Sequence, residues 1–139
     1  MNEQDAWREQ QAAAAREREA AYGRRQSAET ARARELLADF MERVRRDGPP
    51  PGPLRARGFD GRSYRTGLSG WYVRRDGSCA VGADGSFYVL RVPGGLAGRL
   101  RGVTVEASDP PLVLGAGGRD GDSIGLGDAL ERVLAGGAD

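Results

Sequence analysis

The sequence predicts an α+β fold: a long N-terminal helical arm, then a small antiparallel β-meander sheet, then a short C-terminal helix. Three observations predict it. Residues 2–46 contain no Pro and a single Gly, Gly23, among Ala, Glu, Gln and Arg, which are good helix formers. Residues 71–92 read WYVRRDGSCAVGADGSFYVLRV, three apolar runs separated by two Asp-Gly pairs, a strong hairpin signal. Near the C-terminus, Leu126, Leu130, Val133 and Leu134 recur at helical spacing before Gly136-Gly137.

The arm, residues 1–48, divides into helices over about 3–22 and 27–46. Gly23 is suited to end the first and Ser27 to cap the second. The second half carries an amphipathic stripe of Ala33, Leu36, Leu37, Phe40, Met41 and Val44, with Asp39–Arg43 and Glu42–Arg46 as favourable i,i+4 pairs. Gly48-Pro49 stops it. The first half has only Trp7 and Tyr22 as large apolar groups, so these two are the candidate partner-binding residues. Ala14, Ala21 and Ala28 have heptad spacing, but the matching d positions are polar. Ten Arg and ten acidic residues leave the arm neutral, unlike a nucleic-acid-binding tail.

Residues 49–53, Pro-Pro-Pro-Gly-Pro, form a stiff linker. The body, 54–139, follows. Asp60-Gly61 joins a strand near Leu54–Phe59 to one near Ser63–Thr66. If Asp76-Gly77 and Asp84-Gly85 are two-residue turns, Val73 faces Ala80 with Val89 beside it. Tyr72, Val81 and Tyr88 then share the opposite face, and Gly82 sits between Trp71 and Phe87. Phe87–Leu90 is apolar on both faces and needs cover on both. Leu96–Leu100 reads as one helical turn, Val103–Val105 and Leu112–Leu114 as short strands, and Asp128–Ala135 as the closing helix.

Composition bounds the chemistry. All 21 basic residues are Arg and His is absent, a bias expected of a GC-rich bacterial genome. Without His there is no Ser-His-Asp or Cys-His arrangement and no His-containing zinc site. The single Cys, Cys79, allows no internal disulfide and reads as a small buried strand residue. No catalytic residue is assigned and no cofactor is expected, because neither a GxGxxG nor a Walker motif occurs. Asp120 and Asp122 beside Arg119 are the first place to look for carboxylate chemistry. No leader-like or membrane-spanning apolar run is present, so a cytoplasmic protein is expected.

The expected function is that of a non-enzymatic interaction or adaptor protein, with the helical arm mediating self-association or capture of a protein partner. The alternative is a nucleic-acid-binding protein. Residues 54–75 hold six Arg against one acid, with Phe59, Tyr64, Trp71 and Tyr72 interleaved. Arg with aromatic rings suits single strands, where phosphates meet guanidinium groups and bases stack. The candidate residues are Arg55, Arg57, Arg62, Tyr64, Arg65, Tyr72, Arg74 and Arg75. A candidate cation site follows from Asp120, Asp122, Asp128 and Glu131, which fall at positions 1, 3, 9 and 12 of a calcium-loop template with Gly125 at position 6. Ile124 and Gly127 depart from that template.

Overall fold

The computed structural model describes residues 2–115 and 123–136. The fold is α+β, as predicted. It begins with α1 (Glu3–Asp47), capped by the Asn2 side chain, which accepts from the Asp5 amide at 2.8 Å. The break expected between residues 22 and 27 is absent: the helix runs unbroken through Gly23. A single Gly costs a helix about 1 kcal/mol, and the helix formers on both sides outweigh it. The chain then passes through β1 (Gly52–Gly58), β2 (Ser63–Tyr72), β3 (Cys79–Gly82), β4 (Phe87–Val89), β5 (Arg91–Val92), α2 (Leu96–Arg101), β6 (Val113–Leu114), β7 (Ile124–Gly125) and α3 (Leu126–Leu134). The last two Pro-rich linker residues, Gly52 and Pro53, are already in β1. Val103–Val105 is not a strand; Val103 instead donates to the carbonyl of Arg65.

The main sheet has the order β4-β3-β2-β1-β5. All pairings are antiparallel except β1 with β5, which is parallel. β4 and β5 are two halves of one run, Phe87–Val92, so the sheet rolls up and the same segment borders both β3 and β1. The rolled interior holds Leu54, Ala56, Tyr64, Ala80, Tyr88, Leu90 and Val92. Outside it, Trp71, Val73, Cys79, Val81 and Phe87 meet Leu37, Phe40, Met41 and Val44 of α1 and Leu126, Ala129, Leu130 and Val133 of α3. Two cores thus sit back to back on one sheet. Phe87 faces the helices and Tyr88 and Leu90 face inward, so the run is covered on both sides, with Val89 half exposed.

The hairpins exist where Asp-Gly placed them, but their register is one residue off the expected one. Trp71 pairs with Val81, which pairs with Phe87; Tyr72 pairs with Ala80, which pairs with Tyr88. Val73 therefore shares its face with Val81, not Ala80, and Gly82 pairs with Gly70. Among the described residues no residue except Gly has positive φ, so the Asp residues cannot occupy a type I′ turn. Both connections are longer than two residues: the Val73 amide donates to Cys79 O at 3.1 Å around the Asp76-Gly77 turn. In Ala83–Gly85, the Gly82 amide donates to Ser86 O at 2.9 Å, Gly85 takes φ +86°, and the Asp84 side chain accepts from the Ser86 amide at 2.9 Å. A three-residue loop closing on an αL Gly is the next commonest hairpin, and a one-residue slip exchanges the faces.

Two of these hairpins are built from the same residues. Ala56-x-Gly58-x-Asp60-Gly61-x-x-Tyr64 and Ala80-x-Gly82-x-Asp84-Gly85-x-x-Tyr88 align without a gap. In both, Ala pairs with Tyr across the strands. The Asp holds the amide two residues on and accepts the Tyr hydroxyl. The first Gly is required by this arrangement: a Cβ on Gly82 would lie 2.6 Å from Asp84 Oδ1 and 2.7 Å from Tyr88 Cε2.

Candidate functional site

Two surfaces bring predicted residues together: the free N-terminal part of α1 and an Arg-bearing face of the rolled sheet. In α1 no residue before Ala33 is buried. At 1.5 Å per residue the helix is roughly 68 Å long, of which roughly 45 Å precedes Ala33. Trp7 is 61% and Tyr22 59% exposed. Tyr22 accepts a hydrogen bond from Gln26 Nε2 at 3.0 Å. At about 100° per residue, Trp7 and Tyr22 lie about 60° apart around the helix axis, with Ala14 and Ala15 between them in sequence. They therefore border one stripe. The buried part of α1 is fixed by its apolar contacts and by Arg43, whose guanidinium holds the Glu131 carboxylate of α3 with both nitrogens. That partnership lowers the carboxyl of Glu131 from its ordinary range.

On the sheet, alternation decides which Arg residues meet. Leu54 and Ala56 point inward, so Arg55 and Arg57 point out. Arg55 stands opposite Arg65 in the β1–β2 ladder. Arg57 stands beside Arg91 in the β1–β5 ladder. All four are exposed. Arg55 Nε donates to Ser63 Oγ at 2.6 Å, and Arg65 donates to Leu100 O at 3.1 Å. Arg62 lies in the Asp60 loop. Arg74 and Arg75 belong to the next hairpin, where Arg74 sits 3.7 Å from Asp76. Tyr64 is not a surface ring: it is 1% exposed, and its hydroxyl donates to Asp60 and accepts from the Gly95 amide. Tyr72 is part-exposed, with its hydroxyl accepting from the Arg55 amide at 2.8 Å. Arg91 was not foreseen, because only the non-local pairing of β5 with β1 brings it to Arg57.

Of the calcium-template residues, Asp120 and Asp122 lie outside the described residues, as does Arg119. Asp128 is in the first turn of α3 and Glu131 one turn on, where it pairs with Arg43. Cys79 is buried, and burial pushes its thiol up to about 11. No helix among the described residues is long and apolar enough to cross a membrane. Comparison with protein-family models, with curated proteins and with solved structures returns no match.

Proposed function

We propose that this is a non-enzymatic interaction protein that presents the free N-terminal part of α1 as a docking arm for a protein surface. One observation carries the reading: a helix of 45 residues in which nothing before Ala33 is buried, yet which exposes a Trp and a Tyr beside one stripe. A lone helix in water is stabilised mainly by what its apolar face packs against, and Trp and Tyr are the residues that anchor protein contacts. The rolled sheet and α3 give the arm a rigid base. A single buried thiol suits a reducing compartment such as the cytoplasm.

The test is amide hydrogen exchange of residues 3–30 together with light scattering, on the full chain and on Trp7→Ala/Tyr22→Ala. An engaged arm is protected in a concentration- or partner-dependent manner, and the double variant loses that protection. Exchange that is fast, independent of concentration and unmoved by added cell extract or by the variant rejects the reading.

A further inference from the structure

The exposed row Arg55, Arg57, Arg65 and Arg91 has a physical cost. Like charges directly opposite one another destabilise a sheet, and here two such neighbours lie side by side. Residues 54–101 contain nine Arg, three Asp and no Glu. All three Asp side chains accept hydrogen bonds within their own hairpin loops: Asp60 from the Arg62 amide, Asp76 from the Ser78 amide and Asp84 from the Ser86 amide. Two acids of the C-terminal part, Asp109 and Glu131, pair instead with Arg34 and Arg43 of α1. Among the described residues, none of the four Arg in the row has a carboxylate within ion-pair distance.

Next to the row stands Phe59, 74% exposed. It follows Arg57 by two positions, and its amide donates to Val92 O at 2.9 Å, the residue after Arg91. It stands at the tip of the β1–β2 hairpin and belongs to neither core. At the other end, between Arg55 and Arg65, an open apolar groove of about 480 Å³ is lined by Pro51, Pro53, Leu54 and Leu68.

The geometry points to a single-stranded nucleic-acid site on this face, with the four guanidinium groups on successive phosphates and Phe59 stacked on a base. Neighbouring strands are about 5 Å apart and alternate residues about 7 Å apart, so the row spans a short backbone run of a few nucleotides. A duplex would offer no free base face to Phe59. A membrane surface would call for a broader apolar face than one ring. This site is independent of the arm.

The test is fluorescence anisotropy of the full chain with a labelled oligothymidylate at several salt concentrations. With about four phosphates neutralised, the slope of log K against log salt is expected near −3. Arg57→Gln/Arg91→Gln should roughly halve that slope. Phe59→Ala should weaken binding about tenfold with the slope unchanged. Arg45→Gln, outside the row, should bind as the parent does. Circular dichroism of each variant checks that these exposed substitutions leave the fold intact. Absence of binding overturns the proposal. So does equal affinity for a duplex or for heparin together with no effect of Phe59→Ala, which would mark a generic polyanion surface. Affinity for anionic lipid vesicles without affinity for the oligonucleotide overturns it as well.

Discussion

The ring of Phe40 meets that of Trp71 edge to face, with centroids 5.5 Å apart and planes at 84°. This contact joins the last third of α1 to the outer face of β2. Trp71 Nε1 also donates to Pro49 O at 2.9 Å, so the same indole ties down the connector between helix and sheet. Phe40 is nearly fully buried. Phe40→Ala is expected to cost about 3–5 kcal/mol, read from urea denaturation, and to loosen α1 from the sheet.

The repeated Gly-x-Asp-Gly-x-x-Tyr hairpins predict a graded pair of effects. Gly82→Ala drives a methyl into Asp84 and the Tyr88 ring, and should destabilise by about 1–3 kcal/mol. Tyr88→Phe removes only the hydroxyl's 2.8 Å bond to Asp84, at about 1 kcal/mol. If Gly82→Ala proves neutral in chemical denaturation, the close packing described for this loop is wrong.

Gly23 lies in the exposed part of α1 with nothing within 4 Å of where a Cβ would stand. Gly23→Ala should therefore raise helix stability by about 1 kcal/mol. Slower amide exchange around residues 15–30 would report it, with the rest of the chain unchanged.

Acid should weaken both repeated hairpins. Hydrogen bonds from Tyr64 and the Arg62 amide hold the carboxyl of Asp60 below its ordinary value, and those from the Ser86 amide and Tyr88 do the same for Asp84. A carboxyl depressed in the folded state contributes stability that is complete above its unfolded value, about 3.9, and is lost as pH falls from there through the folded value. Stability should thus decline below about pH 4, and Asp60→Asn/Asp84→Asn should flatten that part of the profile.

Cys79 should be inert in the folded protein. Its thiol is buried on the face beneath α1 and α3 and is pushed up to about 11, so little thiolate exists at neutral pH. Labelling by a thiol reagent at pH 8 should follow global unfolding and accelerate in urea. Rapid labelling of native protein would show that α1 and α3 leave this face.

Much of the architecture was legible because its signals are local. Asp-Gly pairs mark reversals wherever they stand between apolar runs, and the stripe Ala33–Val44 declares a buried helix face. The register was not legible, because Asp-Gly serves both two- and three-residue loops. The one-residue difference lies in whether Asp adopts positive φ, a choice settled here by its bonds to Ser86 and Tyr88. The repeat, which shares Ala, Gly, Asp, Gly and Tyr at matching positions of Ala56–Tyr64 and Ala80–Tyr88, is a further signal in the sequence, but one that links two hairpins distant in the chain. The break expected at Gly23 is absent because the small local cost of one Gly is outweighed by the long run of helix formers on both sides.

For the candidate sites, composition points to Arg55, Arg57 and Arg65, whereas Tyr64, which composition groups with them, has its ring in the rolled core. The sequence alone determined the helix-forming arm, the reversals, the absence of His and Lys and the segregation of Arg from acid, since each depends on residue type and near neighbours. Only the tertiary structure decided that Phe87–Val92 borders both β3 and β1, bringing Arg91 beside Arg57, and that Tyr64 turns inward. Those outcomes depend on pairings between distant parts of the chain, whose energy comes from burying two separate faces of one sheet.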